Sequence, residues 1–272
     1  SFLQSETAKK IFNGKPVILS TGGVSYPETG SSGDGLRIAQ DLGHHIDATY
    51  PGLVPLETKD AFVKDLQGLT LKNIRIIFQS SRKRIVSGIG ELLFTHFGVS
   101  GPLVLDLSVQ AAKLLQSGSL DMLIDLKPGM SREELDAKFQ REFQQKGSLV
   151  IKNYVKELAP QRFVGIFLAK AKIDPDKKCH QINALERKKM AEFFKAFPVS
   201  IKRTRPISEA MVTCGGVSLK EIDPKTMASK KIEGLYFCGE ILGLAASSGG
   251  FNLQAAFSTG YLAGESAGIS LQ

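Results

Sequence analysis

Two short apolar segments, one near each end of the chain, place the strongest constraint on the fold. KPVILSTGG (residues 15–23) and LYFCGE (residues 235–240) each run into glycine, which is typical of a buried strand that ends at a ligand-binding loop. Helix-like sequence follows both segments, so they favour a parallel sheet covered by helices. The simplest topology joins the two chain ends into one α/β domain, with the middle of the chain inserted into it.

The middle of the chain changes character twice. Residues 51–127 alternate short β-like runs with turns, which predicts a β-rich domain. Apolar residues then recur at helical spacing as far as Phe197, which predicts a helical insertion over residues 128–198. The predicted fold is therefore α/β plus β-rich plus helical. Its segments are residues 1–50 and 216–272 for the α/β domain, 51–127 and 199–215 for the β-rich domain, and 128–198 for the helical one.

Composition and cysteine usage exclude several classes of protein. Hydrophobic residues make up 42% and charged residues 23% of the chain, which is ordinary for a soluble globular protein. No apolar run reaches the roughly 18–20 residues of a membrane-spanning helix, so no membrane partner is expected. Cys179, Cys214 and Cys238 are odd in number and form no CxxC pair. We therefore expect no disulfide framework, no metal site and a cytoplasmic location.

The net charge of +8 is concentrated in one segment. Residues 131–205 hold 18 lysines and arginines against nine acidic residues, and the rest of the chain is nearly balanced. Such a surplus either covers a solvated helical surface or attracts nucleic acid or another anionic partner. No RNA-binding motif with interleaved aromatic residues occurs there, so we expect the solvated surface.

Three motifs combine glycine with groups that bind ligands. At TGG, the missing Cβ lets the backbone approach a ligand beyond the carboxyl end of a strand. The carboxylate of GE can accept hydrogen bonds from a ribose or a sugar-alcohol chain. GGFNLQ opens a helix whose first N–H groups favour a carbonyl or an anion. Each motif alone also fits an ordinary turn or cap. The candidate cofactor-binding residues are Thr21, Gly22, Gly23, Gly239, Glu240, Gly249, Gly250, Phe251, Asn252, Leu253 and Gln254.

Several long motifs in order carry a family resemblance. They are VILSTGGVSYPETGSSGDGLRIAQDLGH, GELLFTHFGVSGPLVLDLS and RTRPISEAMVTCGGVSLKEIDPKTMASKKIEGLYFCGEILG with the SSGGFNLQAAFSTGYLAG that follows. The chain resembles the BaiN-like, aminoacetone-oxidase-like family of NAD(P)/FAD-dependent oxidoreductases almost from end to end. The resemblance implies FAD, a partial doubly wound FAD-binding domain, an inserted β-barrel-like domain and a helical insertion within that. It also implies that residues 21–23 lie by the cofactor, 239–240 meet its ribityl and pyrophosphate region, and 250–254 cap its isoalloxazine ring.

The sequence departs from the family pattern in two places. The family begins with a βαβ unit whose GxGxxG binds the ADP part of FAD, and no GxGxxG occurs in these 272 residues. Family members usually carry an Asp-containing segment just after the GE-x-L run. Here that segment reads GLAASSGG, with no acidic residue between Glu240 and the helix. We expect the adenosine half of the site to be encoded upstream of Ser1 in a longer chain. This chain should then bind FAD weakly or not at all, and its unpaired sheet edge should invite self-association.

The catalytic residues are less clearly marked. His96, between aromatic residues, fits either a proton donor or a structural histidine. Tyr26 fits a substrate contact or turn packing, and Cys214 fits an active-site thiol or a small core residue. A small amine, an enone-like acceptor and NAD(P)H as electron donor all stay open as reactants. The alternative interpretation is a non-catalytic module that uses the basic helical insertion to bind nucleic acid or another anionic partner.

Overall fold

Two separate hydrophobic cores organise the computed structural model, which describes residues 3–6, 11–81, 83–116 and 118–270. Each core belongs to one compact unit. We call Ser1–Val54 together with Arg205–Gln272 the terminal unit, and Pro55–Thr204 the central unit. Both ends of the chain thus lie in one unit, and the middle of the chain forms the other.

The described residues form thirteen strands and seven α-helices. The strands are β1 (Leu3–Glu6), β2 (Ile11–Gly14), β3 (Val17–Leu19), β4 (Ile46–Gly52), β5 (Leu56–Thr58), β6 (Thr70–Gln79), β7 (Arg84–Val86), β8 (Gly90–Phe94), β9 (Gly98–Ser100), β10 (Leu120–Asp125), β11 (Phe197–Thr204), β12 (Val212–Val217) and β13 (Leu235–Phe237). The helices are α1 (Asp34–Asp41), α2 (Pro102–Gln116), α3 (Arg132–Gln145), α4 (Ile151–Lys156), α5 (Gln161–Ala171), α6 (Ala184–Lys195) and α7 (Phe251–Ile269).

A short parallel pair forms the centre of the terminal unit. β3 and β13 pair in parallel, with Val17 opposite Leu235 and Leu19 opposite Phe237. Helix α7 packs on these strands and buries Ala263. A small side chain at this position lets the helix approach the strands closely. β4 and β12 form a separate antiparallel pair, as do β1 and β2. The carboxyl ends of β3 and β13 therefore lie side by side.

The central unit contains a closed antiparallel barrel. Its strands follow the order β10-β11-β5-β9-β8-β6, and a further pairing between β6 and β10 closes the ring, with β7 attached to β6. Alternate residues of β10, such as Met122 and Ile124, are buried, as the two-residue period of a strand requires. Closure leaves the ring of six strands without a free edge.

The helices α3 to α6 share the barrel's core. Phe163 of α5 has its ring centroid 4.7 Å from that of Phe197 in β11 and 6.4 Å from that of Phe94 in β8. Phe139 and Phe194 extend the same aromatic cluster between α3 and α6, with 5.6 Å between centroids. The buried residues of barrel and helices therefore form one continuous core.

The observed division of the chain differs from the predicted one in two respects. Helical spacing predicts a separate helical domain over residues 128–198, whereas the shared core makes barrel and helices one unit. Residues 199–215 are predicted to return to the β-rich domain, yet only β11 does so. β12 pairs with β4 in the terminal unit instead, with Cys214 opposite Tyr50. Periodicity identifies each element but not its packing partner, which accounts for both differences.

Candidate functional site

A cavity of about 380 Å³ opens in the terminal unit at the end of β13. Its volume falls within the range of roughly 300–1,000 Å³ that is usual for small-molecule sites. Six of the predicted cofactor-binding residues line it, namely Gly239, Glu240, Gly249, Gly250, Asn252 and Leu253. The other lining residues are Leu53, Met211, Val212, Leu244, Ser248, Ala255 and Ala256.

The first turn of α7 presents backbone N–H groups at this cavity. Helix geometry leaves the N–H groups of the first turn without acceptors inside the helix, and the first intrahelical bond here runs from Gln254 N–H to the Gly250 carbonyl at 3.0 Å. Gly250 is the N-cap residue and has a φ of 89° without any side-chain cap. The turn can therefore donate to a carbonyl or an anionic edge of a ligand.

Two glycines leave free space beside the cavity. Gly239 and Gly250 have φ angles of 77° and 89°, a region that disfavours other residues. A Cβ atom built on either glycine would meet no protein atom within 4 Å. The space is thus open for a ligand to approach the backbone.

Asn252 uses its side chain to hold the preceding loop. Its Oδ1 accepts from the N–H of Ala246 at 2.8 Å, and its Nδ2 donates to the Ala246 carbonyl at 3.0 Å. This two-sided clamp ties the loop before the double glycine to the first turn of α7. Asn252 therefore shapes the cavity wall, with its amide already engaged in the protein.

Glu240 is the carboxylate of the cavity, and one of its oxygens is held from behind. Oε1 accepts from the backbone N–H of Thr213 at 2.6 Å and from the hydroxyl of Ser25 at 3.1 Å. Within the part of the chain that the structure describes, Oε2 has no hydrogen-bond partner. A ligand hydroxyl or N–H group can thus donate to Oε2.

The predicted TGG motif contacts protein rather than the cavity. A Cβ on Gly23 would lie 2.3 Å from the Thr213 Oγ1 atom, and a Cβ on Gly35 would lie 1.9 Å from the Thr21 Oγ1 atom. Across the described residues, the lining of the cavity does not include Thr21, Gly22 or Gly23, nor Phe251 or Gln254. The glycine at position 23 is required by the close approach of Thr213.

None of the three catalytic candidates is among the described residues that line the cavity. His96 lies in the central unit, is exposed, and has its ring edge-on to Phe97. Cys214 is 2% exposed and packs against Gly52, where a Cβ would lie 2.5 Å from its sulfur. Tyr26 is half exposed with a φ of 47°. The position of Cys214 is that of a small core residue.

Sequence reasoning missed Ser25 and Thr213, which support Glu240. Ser25 follows the two glycines of GGVS, and Thr213 precedes the two glycines of VTCGG. Ser25 bonds to Thr213 across 188 residues and to Glu240 across 215, and Thr213 bonds to Glu240 across 27. Small polar residues beside strand-end glycines were the available signal. Their pairing appears only once β12 and the loop after β3 are in place.

The residues present fit the ring end of a flavin. The first turn of α7 offers donors for the carbonyl edge of the ring, and Glu240 offers an acceptor for the hydroxyls of the ribityl chain. Leu53, Leu244 and Leu253 supply apolar walls. Among the described residues, no group of three or more His, Cys, Asp or Glu side chains is placed to hold a metal ion.

The basic surplus of residues 131–205 is partly neutralised by ion pairs. At least half of its 18 cations pair with carboxylates, for example Lys177 with Glu186 at 2.6 Å. Arg132, Lys188 and Lys189 line a groove between α3 and α6 that also contains acidic residues. The described helices include none that is both long and apolar enough to cross a bilayer.

Comparison with known proteins places the chain among flavoproteins. A 3-dehydro-bile acid delta(4,6)-reductase of Clostridium scindens is 27% identical over 92% of this chain and 61% of its own length. Ribosomal RNA dihydrouridine synthases of Haemophilus influenzae and Escherichia coli are each 31% identical, over 91% and 90% of this chain and 59% and 58% of their own lengths. The chain thus spans about three-fifths of the length of these curated relatives.

A family model described as the HI0933-like protein barrel and H2TH domain matches residues 50–212, more than half of the chain. The matched range contains the closed barrel and the helices that share its core. These comparisons confirm the resemblance that the sequence motifs carry. The chain therefore belongs to the HI0933-like family of the flavoprotein superfamily.

Proposed function

We propose that this chain provides the flavin-ring half of an FAD-dependent oxidoreductase that reduces a carbon–carbon double bond. The observation that carries the proposal is the cavity itself, in which a helix N-terminus, a fixed carboxylate and two open glycines converge at the end of β13. Convergent polar groups in an otherwise apolar cavity are the usual form of a cofactor site.

The protein's own groups would bind and orient the cofactor. Bound FAD, when reduced, supplies a hydride. The N–H groups at the start of α7 would favour negative charge on a ring edge placed against them, because of their own partial positive charge. Glu240 would hold the ribityl hydroxyls through Oε2, and Leu53, Met211 and Leu244 would keep water from the ring.

The names of the relatives support the type of reaction. One is a delta(4,6)-reductase and two are dihydrouridine synthases. Dihydrouridine differs from uridine by two hydrogens across one ring double bond, so both names describe the addition of hydrogen to unsaturated carbon. We extend that class of reaction to this chain, with a conjugated enone-like double bond as the acceptor.

The proposal is tested by loading the chain with FAD and following the oxidation state. The protein would be reduced anaerobically with dithionite, freed of excess reductant and mixed with 2-cyclohexenone. Return of the oxidised flavin's visible band, together with cyclohexanone as product, is the expected result. A matched sample of Glu240→Gln should retain less flavin and form less product. Reduced flavin that stays reduced in the presence of the enone, with FAD kept in excess over the chain, would refute the proposal.

A second candidate function is association with RNA through the central unit. It is favoured by Arg132, Lys188 and Lys189 on one groove, which form no ion pair with another residue that the structure describes, and by the two relatives named for ribosomal RNA. Electrostatic binding of this kind weakens as salt is raised. The logarithm of the association constant falls with the logarithm of the salt concentration, with a slope of about 0.7 for each phosphate contacted on a single strand. Retention of an RNA oligonucleotide that falls with salt, and falls further in Lys188→Gln with Lys189→Gln, would support it. Lys146→Gln is the control, because Lys146 is already paired with Glu157.

A further inference from the structure

Ser25, Thr213 and Glu240 form a connected hydrogen-bond chain behind the cavity. We infer that Thr213 and Ser25 are positioning residues, which fix the carboxylate of Glu240 so that Oε2 is presented to a ligand. The inference rests on the proposed function, because it concerns the same cavity. It assigns roles to two residues that are not among the described residues lining the cavity.

The geometry of the chain is continuous from Thr213 to Glu240. Thr213 Oγ1 lies 3.3 Å from Ser25 Oγ, and Ser25 Oγ lies 3.1 Å from Glu240 Oε1. The backbone N–H of Thr213 reaches the same Oε1 at 2.6 Å. Oε1 is thereby held by two donors from two different segments, which restricts rotation of the carboxylate.

The direction of each hydrogen bond is set by the other partners of Thr213. Its Oγ1 accepts from the N–H groups of Val24 at 2.9 Å and Ser25 at 3.1 Å. With its acceptor sites occupied, the Thr213 hydroxyl donates its proton to Ser25. The Ser25 hydroxyl in turn donates to Glu240, so both hydroxyl protons are directed towards the carboxylate. Cooperative chains of this kind strengthen each bond in a buried setting.

Burial makes this arrangement costly to disturb. Thr213 is fully buried and Ser25 is 4% exposed, so water does not readily replace either hydroxyl. Gly23 contributes by its lack of a side chain, since a Cβ there would overlap Thr213 and approach Glu240 Oε1 to 3.2 Å. The loop after β3 and the end of β13 are therefore joined through Thr213 of β12.

The inference is tested by measuring FAD dissociation constants, from flavin fluorescence, for a set of variants of the full chain. Thr213→Val and Ser25→Ala should each weaken FAD binding by about 5- to 20-fold, the effect of one or two lost hydrogen bonds. Thr213→Ser should restore binding to within about threefold, because it keeps the hydroxyl. Ser25→Ala serves as the second variant in case Thr213→Val does not fold.

A double-mutant cycle separates positioning from a general structural role. In a Glu240→Gln background, Thr213→Val should raise the FAD dissociation constant by less than about twofold, because both changes act through the same carboxylate. Equal effects with and without that carboxylate would overturn the inference. Glu240→Gln without any effect on FAD binding would instead overturn the proposed function. Flavin-free crystal structures of Ser25→Ala and Thr213→Val provide an independent measurement: a Glu240 carboxylate that stays in place would overturn the positioning role whatever the flavin does.

Discussion

His44 Nδ1 lies 3.1 Å from Glu221 Oε2, and this contact ties the end of α1 to the segment that precedes β13. The His44 side chain is buried, with its Nε2 atom 3.0 Å from Ser229 Oγ and its ring edge-on to Phe237. Glu221 also accepts from Lys231 Nζ at 2.6 Å. These contacts therefore join the end of α1 to the segment before β13 within the terminal unit.

Acid should destabilise the terminal unit through this contact. Burial lowers the pKa of His44 below its usual 6.5, so the unfolded chain binds this proton more readily and stability falls as pH drops below 6.5. The hydrogen bond from Lys231 lowers the pKa of Glu221 from 4.5 to about 2. Its contribution is present above pH 4.5 and is lost as pH falls towards 2. Urea unfolding of the terminal unit between pH 7.5 and 4 should show a continuous decrease in the free energy of unfolding.

The neighbouring histidine provides the control for this prediction. His44→Gln should flatten the dependence between about pH 7 and 5, where the unfolded histidine titrates. His45→Gln should leave it almost unchanged, because the His45 side chain is 68% exposed and only its backbone N–H reaches Glu221. Maximum stability at pH 5, or equal effects of the two variants, would contradict this role of His44.

Replacing Gly250 by valine should weaken flavin binding by tenfold or more. Its new side chain would occupy the open space at the start of α7 that the ring is proposed to use. The positive φ also imposes backbone strain of roughly 1–2 kcal/mol. Gly68→Val is the matched control, since Gly68 has a φ of 82°, equally open surroundings and a place in the central unit. Equal loss of FAD affinity in both variants would mean that strain alone is responsible.

Removing Phe163 should destabilise the central unit as a whole. The side chain is fully buried between barrel and helices, so Phe163→Ala should cost about 3–5 kcal/mol of unfolding free energy. Barrel and helices should unfold in one cooperative transition, because they share a core. Phe193→Ala, at a partly buried position, should cost clearly less. Helices that melt while the barrel stays intact would favour the separate helical domain that periodicity predicts.

The outer face of α7 should cause self-association of this chain. Phe257 and Tyr261 follow one another at helical spacing and are 67% and 70% exposed, and apolar patches of this kind are typical of interfaces. The parallel pair β3–β13 has two strands, whereas parallel sheets are normally larger and covered on both faces. We expect a second copy to cover this face, with a sedimentation coefficient that rises with concentration.

The double variant Phe257→Ser with Tyr261→Ser should restore a monomer. Leu185→Ser is the control, because Leu185 is 78% exposed but lies in the central unit. A chain that is monomeric at every concentration, or one in which Leu185→Ser acts equally strongly, would show that the α7 face is not a contact between copies.

Local chemistry allowed part of the candidate site to be predicted from sequence. Gly239 and Gly250 stand where a strand ends and a helix begins, and such positions need positive φ and open space whatever the rest of the chain does. Glu240 followed from the same reasoning, as a carboxylate directly after a strand. These residues could be predicted because their roles depend on near neighbours along the chain.

The parts that could not be predicted depend on contacts between distant segments. Thr213 reaches Val24 across 189 residues, and the ring of Phe163 in α5 lies 6.4 Å from that of Phe94 in β8, between centroids. Periodicity predicts whether a position faces the core, but it does not predict which distant segment the side chain contacts there. The same reason explains why β12, predicted with the β-rich segment, pairs with β4 in the terminal unit.

The central claim, that the cavity at the end of β13 binds the flavin ring, is tested most directly by amide NMR of the chain labelled at glycine. FAD and riboflavin would be added separately, up to the solubility of each. Shifts of the Gly239, Gly249 and Gly250 amides, with similar affinity for both ligands, are the expected result, because the chain lacks the GxGxxG that would bind the adenosine part. Glycines of the central unit, such as Gly68, should not move. Unshifted glycines at the cavity, or shifts confined to the central unit, would contradict the claim.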